Sequence, residues 1–275
     1  MRKLLVLAVL VGLSVIPTIA ADRTQPRVPL TIDEHGGVMV DVRVNDAGPF
    51  RFIVDTGSAR SAVADGLALE LGAPIVAKSE VVTGAGSEMR PVARLARVAI
   101  GARSEMHVNG ILAPVLPAAR LLVLGRGVRG VLGQDFLSAF NYTLDYRLRH
   151  LRFDPPLNCE GPGVVRMATH EGRFVMALEA AGPLRLVPDS GADAVVLFGA
   201  RTPRRRGDGS VSDLLGVRPA HTTTVPRLHL GDVTVRNLDA YVIDRTEPGV
   251  DGLMPLHRFA SVSFAAGGAC LVARK

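Results

Sequence analysis

The chain has no tryptophan, only three tyrosines and only two cysteines. Without large aromatics it lacks the stacking platforms that hold single-stranded nucleic acid. Its 32 basic residues are scattered among 26 acidic ones rather than gathered in a stripe, so no nucleic-acid partner is expected. The one local concentration, Arg201 with Arg204, Arg205 and Arg206 beside Gly207-Asp208-Gly209, reads as a solvated loop. Cys159 and Cys270 are too far apart in sequence for a close-spaced metal pair, and the seven histidines are dispersed without a His-Glu-x-x-His. Nor does a Gly-x-Ser-x-Gly elbow follow the N-terminal segment. No metal and no cofactor are therefore expected.

Beyond the N-terminus there is no apolar run of membrane-spanning length. The run that does occur, Leu4 to Ile16, follows Arg2 and Lys3 and precedes Pro17-Thr18-Ile19-Ala20-Ala21. A basic start, a short apolar core and small residues at the end are the layout of a secretory signal peptide, here residues 1–20. This predicts an exported chain, periplasmic or secreted; if retained, the same run would tether it to a membrane. Removing Arg2 and Lys3 lowers the formal charge from +6 to +4. An oxidising compartment would let Cys159 and Cys270 pair, whereas a reducing one would leave two thiols, and the sequence leaves both open.

What the chain does have is short apolar runs punctuated by 29 glycines and 18 prolines, within a globular composition of 48% hydrophobic and 21% charged residues. Helical patterns are confined to roughly Ser61 to Leu71 and Gly133 to Phe140. The rest reads as mainly β.

Two stretches are nearly the same: GPFRFIVDTGSA from Gly48 and GPLRLVPDSGAD from Gly182. Gly48/Gly182, Pro49/Pro183, Arg51/Arg185, Asp55/Asp189 and Gly57/Gly191 align without a gap. Upstream, Val40, Val42 and Val44 correspond to Phe174, Met176 and Leu178; downstream, Gly130 to Leu137 corresponds to Gly252 to Phe259. Similarity extending on both sides of a motif predicts two related lobes, placed at residues 30–155 and 165–275, with Pro155-Pro156, Gly161 and Gly163 marking the break.

A pseudo-two-fold axis between such lobes would bring Asp55 and Asp189 face to face. Carboxyl groups in contact cannot both ionise, so the pair would hold one proton over a wide pH range. One could then act as base toward a water while the other donates a proton to a carbonyl oxygen. Gly57 and Gly191 would allow the two turns to approach and leave amides free for the carboxylates, while Thr56 and Ser190 would supply hydroxyls across the interface.

Phe52-Ile53-Val54-Asp55-Thr56-Gly57-Ser58-Ala59 together with Gly130-Val131-Leu132-Gly133-Gln134-Asp135-Phe136-Leu137 resembles the aspartic protease superfamily, specifically its bacterial retropepsin-like members. The resemblance covers about residues 36 to 273. It implies an all-β, bilobal pepsin/retropepsin-like fold of two pseudo-two-fold-related β-barrel lobes with few short helices. It also implies an exported endopeptidase, monomeric, acting on a peptide or protein substrate. Asp55 and Asp189 would be catalytic, with Thr56, Gly57, Ser58, Ser190 and Gly191 supporting their loops. Gly84, Ala85 and Gly86, within Thr83 to Ser87, would form a flap over the substrate.

The second lobe departs from this pattern. Pro188 precedes Asp189, Pro255 stands where the first lobe has Gly133, and no glycine flap is expected between Asp193 and Leu228. A non-catalytic peptide-binding module of the same fold is the main alternative. An actin-like kinase with Asp-x-Gly phosphate loops fits less well, because the lobes read as short and strand-rich and no adenosine-side glycine motif is seen. A homodimer pairing two first lobes through Asp55 is less economical than two lobes in one chain.

Overall fold

The computed structural model describes residues 26–84, 86–154, 156–180, 182–199 and 206–275. The expected signal segment, Ala85 of the flap, and Arg201, Arg204 and Arg205 of the basic loop lie outside the described residues. Among the described residues, no helix is long and apolar enough to cross a membrane.

The described residues form an eight-stranded and a thirteen-stranded sheet with a few short helices. In the first lobe, Val38–Val44 pairs antiparallel with Ala47–Val54, Val40 opposite Phe52. Alternation of buried valines with exposed Asp41 and Arg43 turns one face of this hairpin toward the core. The second lobe repeats the arrangement with Arg173–Glu179 and Pro183–Asp189, Met176 opposite Leu186.

Each strand leading to an aspartate then pairs in parallel with a short later strand. Phe52, Ile53 and Val54 lie beside Gly130, Val131 and Leu132, while Leu186, Val187 and Pro188 lie beside Gly252, Leu253 and Met254. A third strand, Ala62–Ala64 or Val195–Phe198, runs antiparallel on the other side. Three chains crowd at these points, and glycine makes room. A Cβ on Gly130 would lie 2.3 Å from the Phe52 ring and 2.6 Å from the Ala62 carbonyl, and one on Gly252 would lie 2.1 Å from the Val196 carbonyl.

The lobes are joined by a ladder between Tyr142–Asp145 and Ser261–Phe264, with Tyr142 stacked on Phe264 at 4.8 Å. Arg27–Pro29 adds to this layer through His150–Phe153. One continuous apolar core runs from the valines of the first hairpin to Phe264 and Leu271. Cys159 and Cys270 are joined as a disulfide, tying the inter-lobe segment to the final strand across a separation of 111 residues.

Two local expectations are corrected. The helix expected over Ser61 to Leu71 is shorter, Asp65–Glu70, because Ala62–Ala64 is buried and drawn into the sheet. Between Asp193 and Leu228 there is a long hairpin after all, Gly207–Asp213 with Gly216–Leu230. Its turn is not a glycine run: Asp213 pairs with a single glycine, Gly216, and the Asp213 carboxylate accepts from the Leu215 amide at 2.9 Å.

Candidate active site

Asp55 and Asp189 each emerge from the end of a buried strand, and the turns that follow bring them together. The Asp55 amide donates to the Leu132 carbonyl at 3.0 Å, anchoring the loop to the neighbouring strand. Gly57 N–H donates to Asp55 Oδ1 at 2.9 Å and Gly191 N–H to Asp189 Oδ1 at 2.7 Å, so each carboxylate is fixed by its own turn. Ala192 N–H also reaches Asp189 Oδ1, at 3.2 Å. The two carboxyl groups meet at the Gly191 turn: a Cβ built there would lie 3.1 Å from Asp55 Cγ and 3.2 Å from Asp189 Oδ1. Glycine is required here and at Gly57, where a Cβ would lie 2.4 Å from Asp189 Cγ.

Below the carboxyls, Thr56 and Ser190 make a reciprocal set of bonds. Thr56 Oγ1 donates to the Pro188 carbonyl and Ser190 Oγ to the Val54 carbonyl, both at 2.7 Å. Each hydroxyl accepts the other residue's amide at 3.0 Å. Both side chains are buried, so these four bonds satisfy groups that water cannot reach. Pro188 is accommodated for this reason. Its carbonyl is the atom the loop uses, and the antiparallel pairing with Arg173–Glu179 ends at Leu186, before proline's missing N–H would interrupt it. Ser58 uses its hydroxyl locally, donating to the Arg60 carbonyl at 2.8 Å.

Crossed contacts flank the pair. A Cβ on Gly36, in the first lobe, would collide with the His257 ring at 2.4 Å, and one on Gly172, in the second, would meet Ala59 at 3.2 Å.

Burial disfavours ionisation of both aspartates. It raises Asp55 above its ordinary value, opposed by the Gly57 amide, the Asp189 carboxyl and the charge of Arg173. Asp189 is pushed well above the ordinary value, first by burial and then by the negative charge of Asp55. The pair therefore shares one proton over a wide pH range.

Sequence reasoning missed the supports behind the first loop. Ser61 donates to Asp135 Oδ1 through its amide at 2.9 Å and its hydroxyl at 2.5 Å, and its oxygen accepts the Gly133 amide at 3.0 Å. Gln134 Nε2 donates to the Thr56 carbonyl at 2.8 Å. The available signal was Gln134-Asp135, two polar residues inside an otherwise apolar stretch beside the motif.

The expected flap is the hairpin of Ile75–Val82 and Ser87–Ile100, closed by Thr83 N–H to the Gly86 carbonyl at 2.7 Å. Its tip meets the second-lobe hairpin, with Thr83 Oγ1 donating to Asp213 Oδ1 at 3.0 Å. A Cβ on Gly84 would lie 3.1 Å from Asp213 Oδ2, whereas one on Gly86 would meet nothing within 4 Å.

Elsewhere, His170, Glu171 and Glu247 bring possible metal-ligand atoms within 4.8 Å of one another. Glu247 is already engaged: Oε1 accepts from Arg173, and Oε2 from Arg245 at 2.6 Å. A cation would have to displace a guanidinium, so the cluster is an ion network.

Residues 40–136 match the family described as aspartyl protease, a span that includes Asp55 but not Asp189. Among solved structures, the chain is similar to basic 7S globulin from soybean, at 10% identity over 90% of this chain and 95% of that one, with a TM-score of 0.52. It is also similar to edgp, at 11% identity over 90% and 94% of the two chains, with a TM-score of 0.49. No curated protein matches. The first likeness is one of fold, and the architecture is that of the pepsin-like aspartic proteases.

Proposed function

We propose that the chain is an exported aspartic endopeptidase that hydrolyses peptide bonds with a water activated between Asp55 and Asp189. The observation that carries this reading is the close approach of two carboxyl groups, Asp189 buried and Asp55 half-buried, each fixed by a glycine amide and both set on the reciprocal Thr56/Ser190 bonds. The ionised member of the pair takes a proton from water as the water oxygen attacks the peptide carbonyl carbon. The protonated member gives its proton to the carbonyl oxygen, producing a tetrahedral diol. Return of a proton to the nitrogen accompanies C–N cleavage, leaving a carboxyl and an amine. No covalent intermediate is needed.

Export follows from the signal-like residues 1–20, and the paired Cys159 and Cys270 fit an oxidising compartment. The similar loops and strand order of the lobes fit a duplication that supplies both aspartates in one chain, acting as a monomer on an extended peptide. As the test, cleavage of a diverse peptide library by the mature protein is compared with Asp55→Asn and Asp189→Asn between about pH 3 and pH 7, the range over which such pairs titrate. Both variants should lose about 10²–10⁴-fold in rate, the usual contribution of a positioned acid or base. Loss with Asp55→Asn alone would contradict the two-lobe pair.

A second reading, a peptide-binding module without catalysis, is favoured by one feature: the second lobe has none of the side chains that support the first loop, carrying Val195, Leu256 and His257 where the first has Ser61, Gln134 and Asp135. In that case neither asparagine variant would change peptide affinity, and no library member would be cut.

A further inference from the structure

Each of the two long hairpins ends on an arginine of the opposite lobe. At the tip of the first, the Thr83 carbonyl accepts from Arg245 Nη1 at 2.5 Å. At the tip of the second, the Leu215 carbonyl accepts from Arg120 Nη1. The two arginines occupy related places. Arg120 lies just beyond Met106–Leu116 and Arg245 just beyond Val233–Ile243. Those strands pair in parallel with the corresponding short strands of their lobes, Val115 opposite Val63 and Val242 opposite Leu197.

Arginine suits this task. Its guanidinium stays charged at any working pH and offers several N–H groups in one plane, so it can hold a backbone carbonyl while bound elsewhere. Arg245 is so bound: Nη2 donates to Glu247 and the guanidinium lies over the Phe198 ring, 5.0 Å from its centre. Glu247 also holds Arg173, whose charge acts on Asp55. The first tip is thus connected toward the aspartates by a continuous set of ion pairs. Direct contact of the tips through Thr83 and Asp213 completes a bridge between the lobes.

We propose that Arg120 and Arg245 form a reciprocal latch that holds both hairpins shut over the cleft, so that release of the tips governs peptide entry. What the latch guards rests on the Asp55/Asp189 reading; the closure itself does not. The latch bonds go to backbone carbonyls, so no change of the tip side chains alone abolishes them. The arginines are the place to intervene.

The test places spin labels on cysteines introduced at Val82 and Val217, exposed positions beside the two tips, and reads the distance between them by pulsed electron resonance. The native disulfide is kept. The parent should give one short distance, R120Q or R245Q alone a second and longer population, and R120Q/R245Q mostly the longer one. R120Q/R245K, which keeps a charge beside Glu247, is measured alongside to preserve the ion network and should also gain the longer population. A distribution unchanged from the parent in a folded R120Q/R245K protein would overturn the latch, as would a parent that is already open. Because distance is read without catalysis, an inactive Asp55/Asp189 pair would leave this result standing.

Discussion

The two lobes hold their aspartate loops by different means. Behind Asp55 the support is polar: Ser61 links Asp135 to the Gly133 amide, and Gln134 holds the Thr56 carbonyl. Behind Asp189 the aligned residues are Val195, Pro255, Leu256 and His257. The exchange is concerted. Proline at 255 has no N–H to give, so a hydroxyl at 195 would lose the partner that Ser61 has in Gly133, and valine fits instead. The same loop geometry thus occurs with a polar clamp behind it or with buried Val195 and Leu256 in its place. The second lobe has in addition a covalent tie, Cys159 to Cys270, that the first lacks.

Substitutions can remove each of these differences in turn. Replacing Cys159 and Cys270 by serine should have the largest effect on stability, about 4 to 5 kcal/mol from the loop it frees in the chain-entropy picture, measured by urea unfolding. A loss under about 1 kcal/mol would show that packing alone holds the second lobe.

The glycines of the two turns should then respond unequally. Gly57→Ala drives a methyl into Asp189, 2.4 Å from Cγ, and should lower peptide cleavage about 10²-fold, as displacement of reacting groups by about 1 Å does. Gly191→Ala meets Asp55 at 3.1 Å and should lose less. Equal losses would rule out the asymmetric fit.

Smaller still is Ser61→Ala, expected to cost about 1.5–3 kcal/mol because it removes a hydrogen bond to the half-buried Asp135 carboxylate and the acceptor of the Gly133 amide. Ser61→Val, which copies the second lobe without its proline, should do no better in the same unfolding measurement. Parent-like stability would mean that the clamp is dispensable.

Much of this was legible before the structure. Period-two alternation at Val40, Val42 and Val44 marks the strand, and aligned Asp55 and Asp189 mark the loops that meet, whereas the first hairpin turns at Asn45-Asp46 and Gly48-Pro49 lies inside the returning strand. Other features depend on contacts that no local pattern encodes. Ser61 meets Asp135 across 74 positions and Arg245 meets Thr83 across 162. The second hairpin escapes notice because its turn, Asp213 to Gly216, carries a single glycine and is tied by the Asp213 carboxylate rather than marked by a glycine run. Pro188 reads as a broken ladder only until its carbonyl is seen to be the group that Thr56 uses.

Everything proposed for the cleft depends on Asp55 and Asp189 titrating as one unit. Burial raises both above the ordinary 3.8, Asp189 the further. A raised folded value means that the protonated form is favoured by folding. Stability from this source is therefore complete below the unfolded value and lost as pH rises through the folded one. A carbon-13 NMR titration of the aspartate carboxyls, in the parent and in Asp55→Asn, reads the coupling itself. Asp189 should keep its proton well above 3.8 in the parent, and its value should fall when the charge at position 55 is removed. Two carboxyls that ionise independently near 3.8, with Asp189 unchanged in Asp55→Asn, would show that no shared proton exists.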